Sequence, residues 1–572
     1  VRQRAQGILA GSGQTTGGLS MNPLIRREFF GILRSPKTLA MLITLTAAFS
    51  LAVLMRWPSD PSSVSGSQSM QVFRVFGYGL LAGIVFLVPA FPATSIVNEK
   101  NNKTLTLLLN SPLSAFSIYF GKMSGVFLFS LLVLLCSLPA SAACYAMGGI
   151  SASGELAMLY LVLGLLMLQY TTLGMLISSY AQTSDSAVRL TYTAVLALLL
   201  LTLVPAAFVR GTGGLAPGIG IVAEWIRNLS PLPSVMEIMG QGDLGSSGLK
   251  QSPSIRGFLV CTLISSLAFA AVTLSRLNYR IFDQARDQGV ITNERGWMNR
   301  AFRRLLYIVD PQRRKTGIPW YLNPVMVKEF RSRRFGRSQW LLRLISICAV
   351  VSMVLTFMAA SSVTSWGVST IGALLVVMQV VLVVVLTPSL ASGLISGERD
   401  SGGWELLRMT PLSPLRIVVG KLLSVAWTLL LVLMATLPGY VMMMMIQPEL
   451  SIQVRLVLIC LLWIAVYAMS ISSAVGSLFR YTAVSTAVTY VVVIGLFLTP
   501  ILIWMARDAP FGHDTVESAL LTNPVGAALS VINAPGFESY DLLPASWWIA
   551  AVVSTLMFAV LGFQVWRLSR AV

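Results

Sequence analysis

The chain has 572 residues, 55% of them hydrophobic and 11% charged, with a mean hydropathy of +0.76 and a net charge of +19. A soluble chain carries about twice that charged fraction, so these values exclude a large soluble core and point to an all-α polytopic membrane protein. Cys136, Cys144, Cys261, Cys348 and Cys460 all lie in apolar runs at no metal-ligand spacing, and the single histidine, His513, lies in a polar loop; neither pattern suggests a metal or catalytic centre.

Residues 1–20 are rich in Gly, Ser and Thr and lack the apolar centre of a signal peptide, so a disordered tail is expected. A non-Met start at Val1 and a natural start at Met21 both stay open. Residues 22–36 read as a short helix. Asn22 caps it, Pro23 suits its first turn, and Ser35-Pro36 ends it. Ile25, Phe29, Ile32 and Leu33 form one apolar face with Arg26, Arg27 and Arg34 off it, as in a helix lying at a membrane interface. Its counterpart runs from Asn323-Pro324 to about Gly336, with Glu329 and Phe330 at the Glu28 and Phe29 positions.

Apolar runs follow near 38–57, 73–97, 116–147, 155–180, 187–209 and 256–277, and again near 340–360, 368–395, 416–446, 455–479, 483–506 and 546–567. Each can cross a hydrocarbon core of about 30 Å, which takes roughly 20 helical residues. The expectation is about twelve transmembrane helices as two parallel six-helix repeats. Pro89, Pro139 and Pro438 are expected to kink or break the longer runs. The repeats occupy residues 21–280 and 321–572, joined by a basic linker at 281–320. Fifteen Lys or Arg lie between Arg276 and Arg337. Anionic lipid headgroups are the nearer partner for that charge, and nucleic acid is not expected.

Charge also sets the orientation. Arg26, Arg27, Arg34 and Lys37 precede the first run, Lys100, Lys103 and Lys122 flank the loop after the second, and Arg567 and Arg570 follow the last. Loops 58–72, 148–154 and 361–367 on the other side are almost free of Lys and Arg. Both termini and the linker are therefore expected in the cytoplasm, with the protein in the cell (inner) membrane. An even number of spans per repeat makes the halves parallel. The longest outer loops, 210–255 and 507–545, also match: Asn228-Leu229-Ser230-Pro231 corresponds to Leu521-Thr522-Asn523-Pro524.

The most specific signal is a repeated loop. Residues 98–122 return at 397–421, and at an offset of 299 there are 9 identities in the 24 positions from Glu99 to Lys122. Ordinary residue usage gives roughly two. The matched residues are Glu99 and Glu398, Leu107-Leu108 and Leu406-Leu407, Pro112-Leu113-Ser114 and Pro411-Leu412-Ser413, Ile118 and Ile417, and Gly121-Lys122 and Gly420-Lys421. A tandem duplication explains them. Ser111-Pro112 and Thr410-Pro411 read as a cap residue and a proline opening the third span. Each loop is then a short amphipathic helix, a turn and a membrane helix. An ordinary connection does not need the same Glu, Pro-Leu-Ser and Gly-Lys at one spacing; a pair of equivalent docking surfaces for a two-fold partner does.

In these residues the chain resembles the permease subunits of type 2 ATP-binding-cassette (ABC) exporters. Their pattern is an acidic residue, a Leu-Leu pair, a (S/T)-P-x-S step and Gly-Lys between the second and third spans. The short N-P-x(4)-E-F helix with Glu28-Phe29 or Glu329-Phe330, the patches near Gly174 and Gly476, and the Ser-Pro or Asn-Pro step before the last span are similar to the family's too. The resemblance implies a pair of six-span units, here fused, whose loops act as coupling helices against a cytoplasmic ABC ATPase dimer. It places that role on Glu99, Leu107, Leu108, Pro112, Leu113, Ser114 and Lys122, and on Glu398, Leu406, Leu407, Pro411, Leu412, Ser413 and Lys421. Lys103-Thr104 stands against Gly402-Gly403, a departure from the family's usual Gly-Thr that leaves identical docking of the two copies open.

The sequence contains no G-x(4)-G-K-[ST] phosphate cradle, so ATP and Mg are expected in the partner, with no cofactor bound by this chain. The centres of the spans carry no charge, which argues against a proton-coupled carrier and leans towards an apolar or amphipathic cargo of unknown identity. Gln169, Thr171 and Thr172, with Ser470, Ser472 and Ser473, are the most polar features, and helix packing is their simpler role. A major-facilitator-like carrier would need a basic Gly/Asp/Arg loop after the second span and buried acids. A non-transporting membrane scaffold would keep the loops but show no cargo-stimulated ATP hydrolysis.

Overall fold

The computed structural model describes residues 23–34, 36–54, 66–111, 113–203, 217–240, 254–279, 323–332, 348–356, 368–505 and 512–569, with a few single positions between. The tail 1–20, the linker 281–320, Pro112, the Phe330 side chain and much of the seventh run lie outside the described residues. Among the described residues every regular element is a helix, and nine helices or helix pairs are long and apolar enough to cross a membrane.

In the first half, α1 (Pro23–Leu33) precedes α2 (Pro36–Leu54). The second span is α3 (Gly66–Leu87) followed by α4 (Ala90–Asn101), and the loop helix is α5 (Thr104–Leu109). The third span is α6 (Ala115–Leu135) with α7 (Leu138–Ala146). Then come α8 (Ala157–Tyr180), α9 (Ser184–Leu200), two short helices α10 (Pro217–Arg227) and α11 (Pro231–Ile238), and α12 (Ser254–Tyr279). The second half repeats the order. It has α13 (Pro324–Ser332), α14 (Val368–Ala391), α15 (Gly393–Asp400) and the loop helix α16 (Gly403–Arg408). α17 (Pro414–Ala435) with α18 (Leu437–Ile446), α19 (Ser451–Leu478) and α20 (Thr482–Met505) follow. The half ends with α21 (His513–Leu521), α22 (Pro524–Val531) and α23 (Ala545–Ser569). The nine spans omit α2 and α9, which occupy two of the expected places but are shorter in their apolar part, and the seventh run.

Breaks fall where proline removes a backbone donor. Pro89 separates α3 from α4, Pro139 opens α7, and Pro438 opens α18. Two apolar cores follow the duplication, one centred in each half, and each takes residues from the other half: Tyr192 joins one and Leu502 the other. Within each half the same helices pack: α1 on α6 and α13 on α17, α4 on α8 and α15 on α19, α8 on α12 and α19 on α23. Gly174 and Gly476 explain how closely the fourth span crosses the second. A Cβ on Gly174 would lie 2.7 Å from Pro92, and one on Gly476 2.4 Å from the Ser392 carbonyl oxygen.

The segments before the last span of each half share a local arrangement. Ser230 and Asn523 each cap a helix and reach the preceding span. The Ser230 hydroxyl donates to the Leu199 carbonyl at 2.8 Å, and the Asn523 amide to the Phe497 carbonyl at 2.9 Å. Gln169 donates to Ser265 at 2.9 Å, and Thr171, Thr172, Ser470 and Ser473 bond carbonyls of their own helices. Of these last bonds only Gln169–Ser265 joins two helices, α8 and α12.

The halves meet along α9 and α20, each also touching the other half's second span. Tyr192 and Tyr490 stack there with ring centroids 5.1 Å apart, both wholly buried. Each hydroxyl donates to a carbonyl of its own half's second span, Tyr192 to Phe86 at 2.6 Å and Tyr490 to Val385 at 2.8 Å.

Candidate coupling site

The repeated loops are built alike from the backbone upward. Lys103 and Gly402, 299 apart, both turn the chain with positive φ, +59° and +73°. The Lys-Thr for Gly-Gly difference therefore does not change the path of the backbone. A carboxylate closes both turns. The Thr104 hydroxyl donates to Glu99, and the Glu398 carboxylate lies where a Gly403 side chain would stand, 2.4 Å from its ideal Cβ. The loop helices then expose one face and bury the other. Leu105 and its counterpart Trp404 are buried, Leu108 and Leu407 half-buried, and Leu107 and Leu406 are each 70% exposed. The Trp404 indole donates to the Leu568 carbonyl at 3.3 Å, tying α16 to the last span.

Contrary to the expectation from sequence, Ser111 and Thr410 do not open the third span. Their hydroxyls fold back onto the Leu108 and Leu407 carbonyls at 2.6 Å and so close the loop helices. The caps are Ser114 and Ser413, whose side chains accept from the Ser117 and Arg416 amides. A hydroxyl on extended backbone can reach an N–H two or three residues ahead, whereas one ending a helix finds a free carbonyl behind it. Leu113 and Leu412 are half-buried beside these caps, and Pro411 is exposed.

The glutamates and lysines of the two loops meet residues from outside them. In the first half, Lys122 Nζ lies 2.9 Å from Glu28 and 3.1 Å from Glu99, with Arg27 bridging the same two carboxylates at 2.8 and 2.7 Å. In the second half, Lys421 Nζ lies 2.5 Å from Glu329 and 2.9 Å from Glu398, and Lys328 reaches Glu398 at 2.9 Å. Each cluster joins α1 or α13, the helix leading into the loop, and the third span. Glycine permits the approach: a Cβ on Gly420 would strike Asn323 at 2.6 Å, and one on Gly125 would strike Glu28 at 2.7 Å. Asn323 caps α13 and also donates to the Arg416 carbonyl at 2.9 Å. Phe29 packs beside Phe129 in the neighbouring apolar cluster.

The lysines are nearly dehydrated, with side chains 3% and 2% exposed. A buried ammonium needs compensating carboxylates at hydrogen-bond distance, and each has two. Burial opposes charge on Glu28, but Lys122 and Arg27 outweigh it and hold its carboxyl below the usual carboxylate range. These clusters fix the loop to the membrane helices and leave Leu107 and Leu406 projecting. The sequence supplied every member except Arg27 and Lys328 as a candidate, but not their meeting. A signal for it was present: the Glu-to-Lys separation is 23 residues in both copies.

Comparison with known proteins agrees with the duplication. A family model described as ABC-2 family transporter protein matches residues 29–277, and a second of the same description matches residues 323–570. No curated protein matches the chain. Two matched units, together spanning most of the polypeptide and repeating the same order of helices, make this an integral membrane protein of the ABC-2 transporter family, a transmembrane permease component of an ABC transporter with two permease units fused in one chain.

Proposed function

We propose that the loops at 98–122 and 397–421 dock a separate ABC ATPase dimer, and that the chain exports an apolar or amphipathic substrate with the energy of ATP hydrolysed there. The observation that carries this reading is the matched exposure of Leu107 and Leu406, 70% each, on helices otherwise pinned to the membrane helices by buried ion clusters. A large apolar side chain held out on a rigid mount, once per half, suits a two-fold protein partner. The permease units are residues 21–280 and 321–572 on this reading, with both termini and the basic linker in the cytoplasm of a cell whose inner membrane supplies anionic lipid. ATP and Mg bind the partner alone.

Transport is a shift between two populations. Closure of the ATPase dimer draws the loops together, and the ion clusters pass that movement to the interface helix and third span of each half. Charge reversal at Glu99 and Glu398 would break the internal clusters as well as any docking contact, so the leucines give the cleaner test. Leu107→Asp combined with Leu406→Asp should abolish co-purification with the partner nucleotide-binding subunit and reduce substrate-stimulated ATP hydrolysis, with membrane insertion and thermal stability unchanged. Undiminished co-purification would reject the docking assignment.

A further inference from the structure

The ion clusters obey the duplication, but the seam between the halves does not. At an offset of 298, Ser184 corresponds to Thr482 and Tyr192 to Tyr490. At that same offset Asp185, Val188 and Arg189 correspond to Ala483, Thr486 and Ala487. Asp185 pairs with Arg189 one turn along α9, and its other oxygen accepts the Thr486 hydroxyl from the opposite half at 2.5 Å. Thr486 is itself held by the Ser392 hydroxyl at 3.0 Å, and Ser485 donates to the Ser392 carbonyl at 3.0 Å. The symmetry-related contact would join Ala483 to Val188, and those side chains have nothing to donate or accept.

This contact lies next to the path from the docking loops. The Ser184 hydroxyl donates to Asn98 at 2.5 Å, and the Thr482 hydroxyl to Asp400 at 2.9 Å. Each fifth span is thus tied at its first residue to the helix leading into its own loop. In the first half the next residue is Asp185. A carboxylate accepting a hydroxyl in a partly dehydrated seam makes a charge-assisted hydrogen bond, stronger than one between neutral groups. On the apolar mirror side only contact packing would have to part.

We propose that Asp185, braced by Arg189 and closed on Thr486, is a one-sided clasp that holds the loop-side ends of the two halves together. Its single copy makes the halves inequivalent: opening begins by losing Thr486 from Asp185. This rests on the permease reading above and adds the element that separation of the halves must break.

The test uses Asn110→Cys and Met409→Cys, exposed equivalent positions 299 apart on the loops. They are spin-labelled in a chain whose five native cysteines are replaced, and placed in phosphatidylcholine–phosphatidylglycerol nanodiscs without any ATPase. Pulsed EPR then reads the distance distribution. Asp185→Ala and Thr486→Val should each broaden it towards longer distances, the double variant should do no more than either single, and Thr486→Ser should match the parent. A Thr486→Val chain that is monodisperse and keeps the parent distribution overturns the clasp, and so do additive effects of the two substitutions. Should Asp185→Ala fail to insert, Thr486→Val decides alone, because it keeps the side-chain volume. No ATPase is present, so failed docking and a failed clasp give different results.

Discussion

Lys421→Met tests the ion clusters most directly. The substitution keeps the apolar stem and removes the ammonium that sits 2.5 Å from Glu329 and 2.9 Å from Glu398. Glu329 is only 5% exposed, so little water can replace the lost charge. Breaking a buried pair by removing one partner costs about 3–5 kcal/mol, and of the two carboxylates only Glu398 is also reached by Lys328, a half-exposed side chain 2.9 Å away, among the ion pairs described. Lys122→Met should cost less. There Glu28 and Glu99 are 19% and 15% exposed, and Arg27 still bridges both carboxylates. The assay is denaturant or thermal unfolding of the purified chain in detergent, followed through its 13 tryptophans. Lys421→Met should lower the midpoint clearly more than Lys122→Met. Adding Glu329→Gln and Glu398→Gln to Lys421→Met should recover much of the loss, since a neutral polar set carries a smaller desolvation cost. A Lys421→Met chain as stable as the parent, or a reversed order of the two lysines, would refute the claim that dehydrated charge holds the loops in place.

Two further outcomes follow from the geometry. Gly476→Ala puts a methyl group 2.4 Å from the Ser392 carbonyl oxygen and Gly174→Ala one 2.7 Å from Pro92, so the second and fourth spans must separate; each should lose about 1–3 kcal/mol by the same unfolding assay. Gly164→Ala in α8 meets nothing within 4 Å and should be neutral or stabilising by up to about 1 kcal/mol, a control that removes glycine from the same helix without crowding. The Glu28 carboxyl lies below its ordinary value of 4.5 in the folded chain, so its contribution to stability is fully present above that value and is lost as the pH falls through it towards the lower folded pKa. Midpoints measured against pH should show an acid limb that Glu28→Gln flattens, and an unchanged limb would show that Glu28 is not among the groups responsible.

Much of this was legible in one dimension. Helix formation, spans and breaks follow from apolar runs and proline, because a backbone in lipid must satisfy its own hydrogen bonds and proline cannot. The duplication was legible because Glu99, Leu107-Leu108, Pro112-Leu113-Ser114 and Gly121-Lys122 repeat without a gap. The caps were less so: Ser111 and Ser114 are both hydroxyls near a helix start, and only the path of the backbone assigns the cap to Ser114.

By itself, then, the sequence determined that this is a twice-repeated helical membrane protein with matched loops and matched N-P-x(4)-E-F helices. It could not determine which of the matched residues meet each other and which stay exposed. Glu28 and Lys122 lie 94 residues apart, and Asp185 and Thr486 lie 301 apart, with nothing local to mark them as neighbours. Helix packing decides such pairs, since spans that each form independently in lipid still choose partners by how closely glycines let them approach and by where a buried charge can be met. Tertiary structure therefore turned the loop carboxylates into internal ties, left Leu107 and Leu406 as the exposed surface, and placed an unduplicated contact on the seam between two duplicated halves.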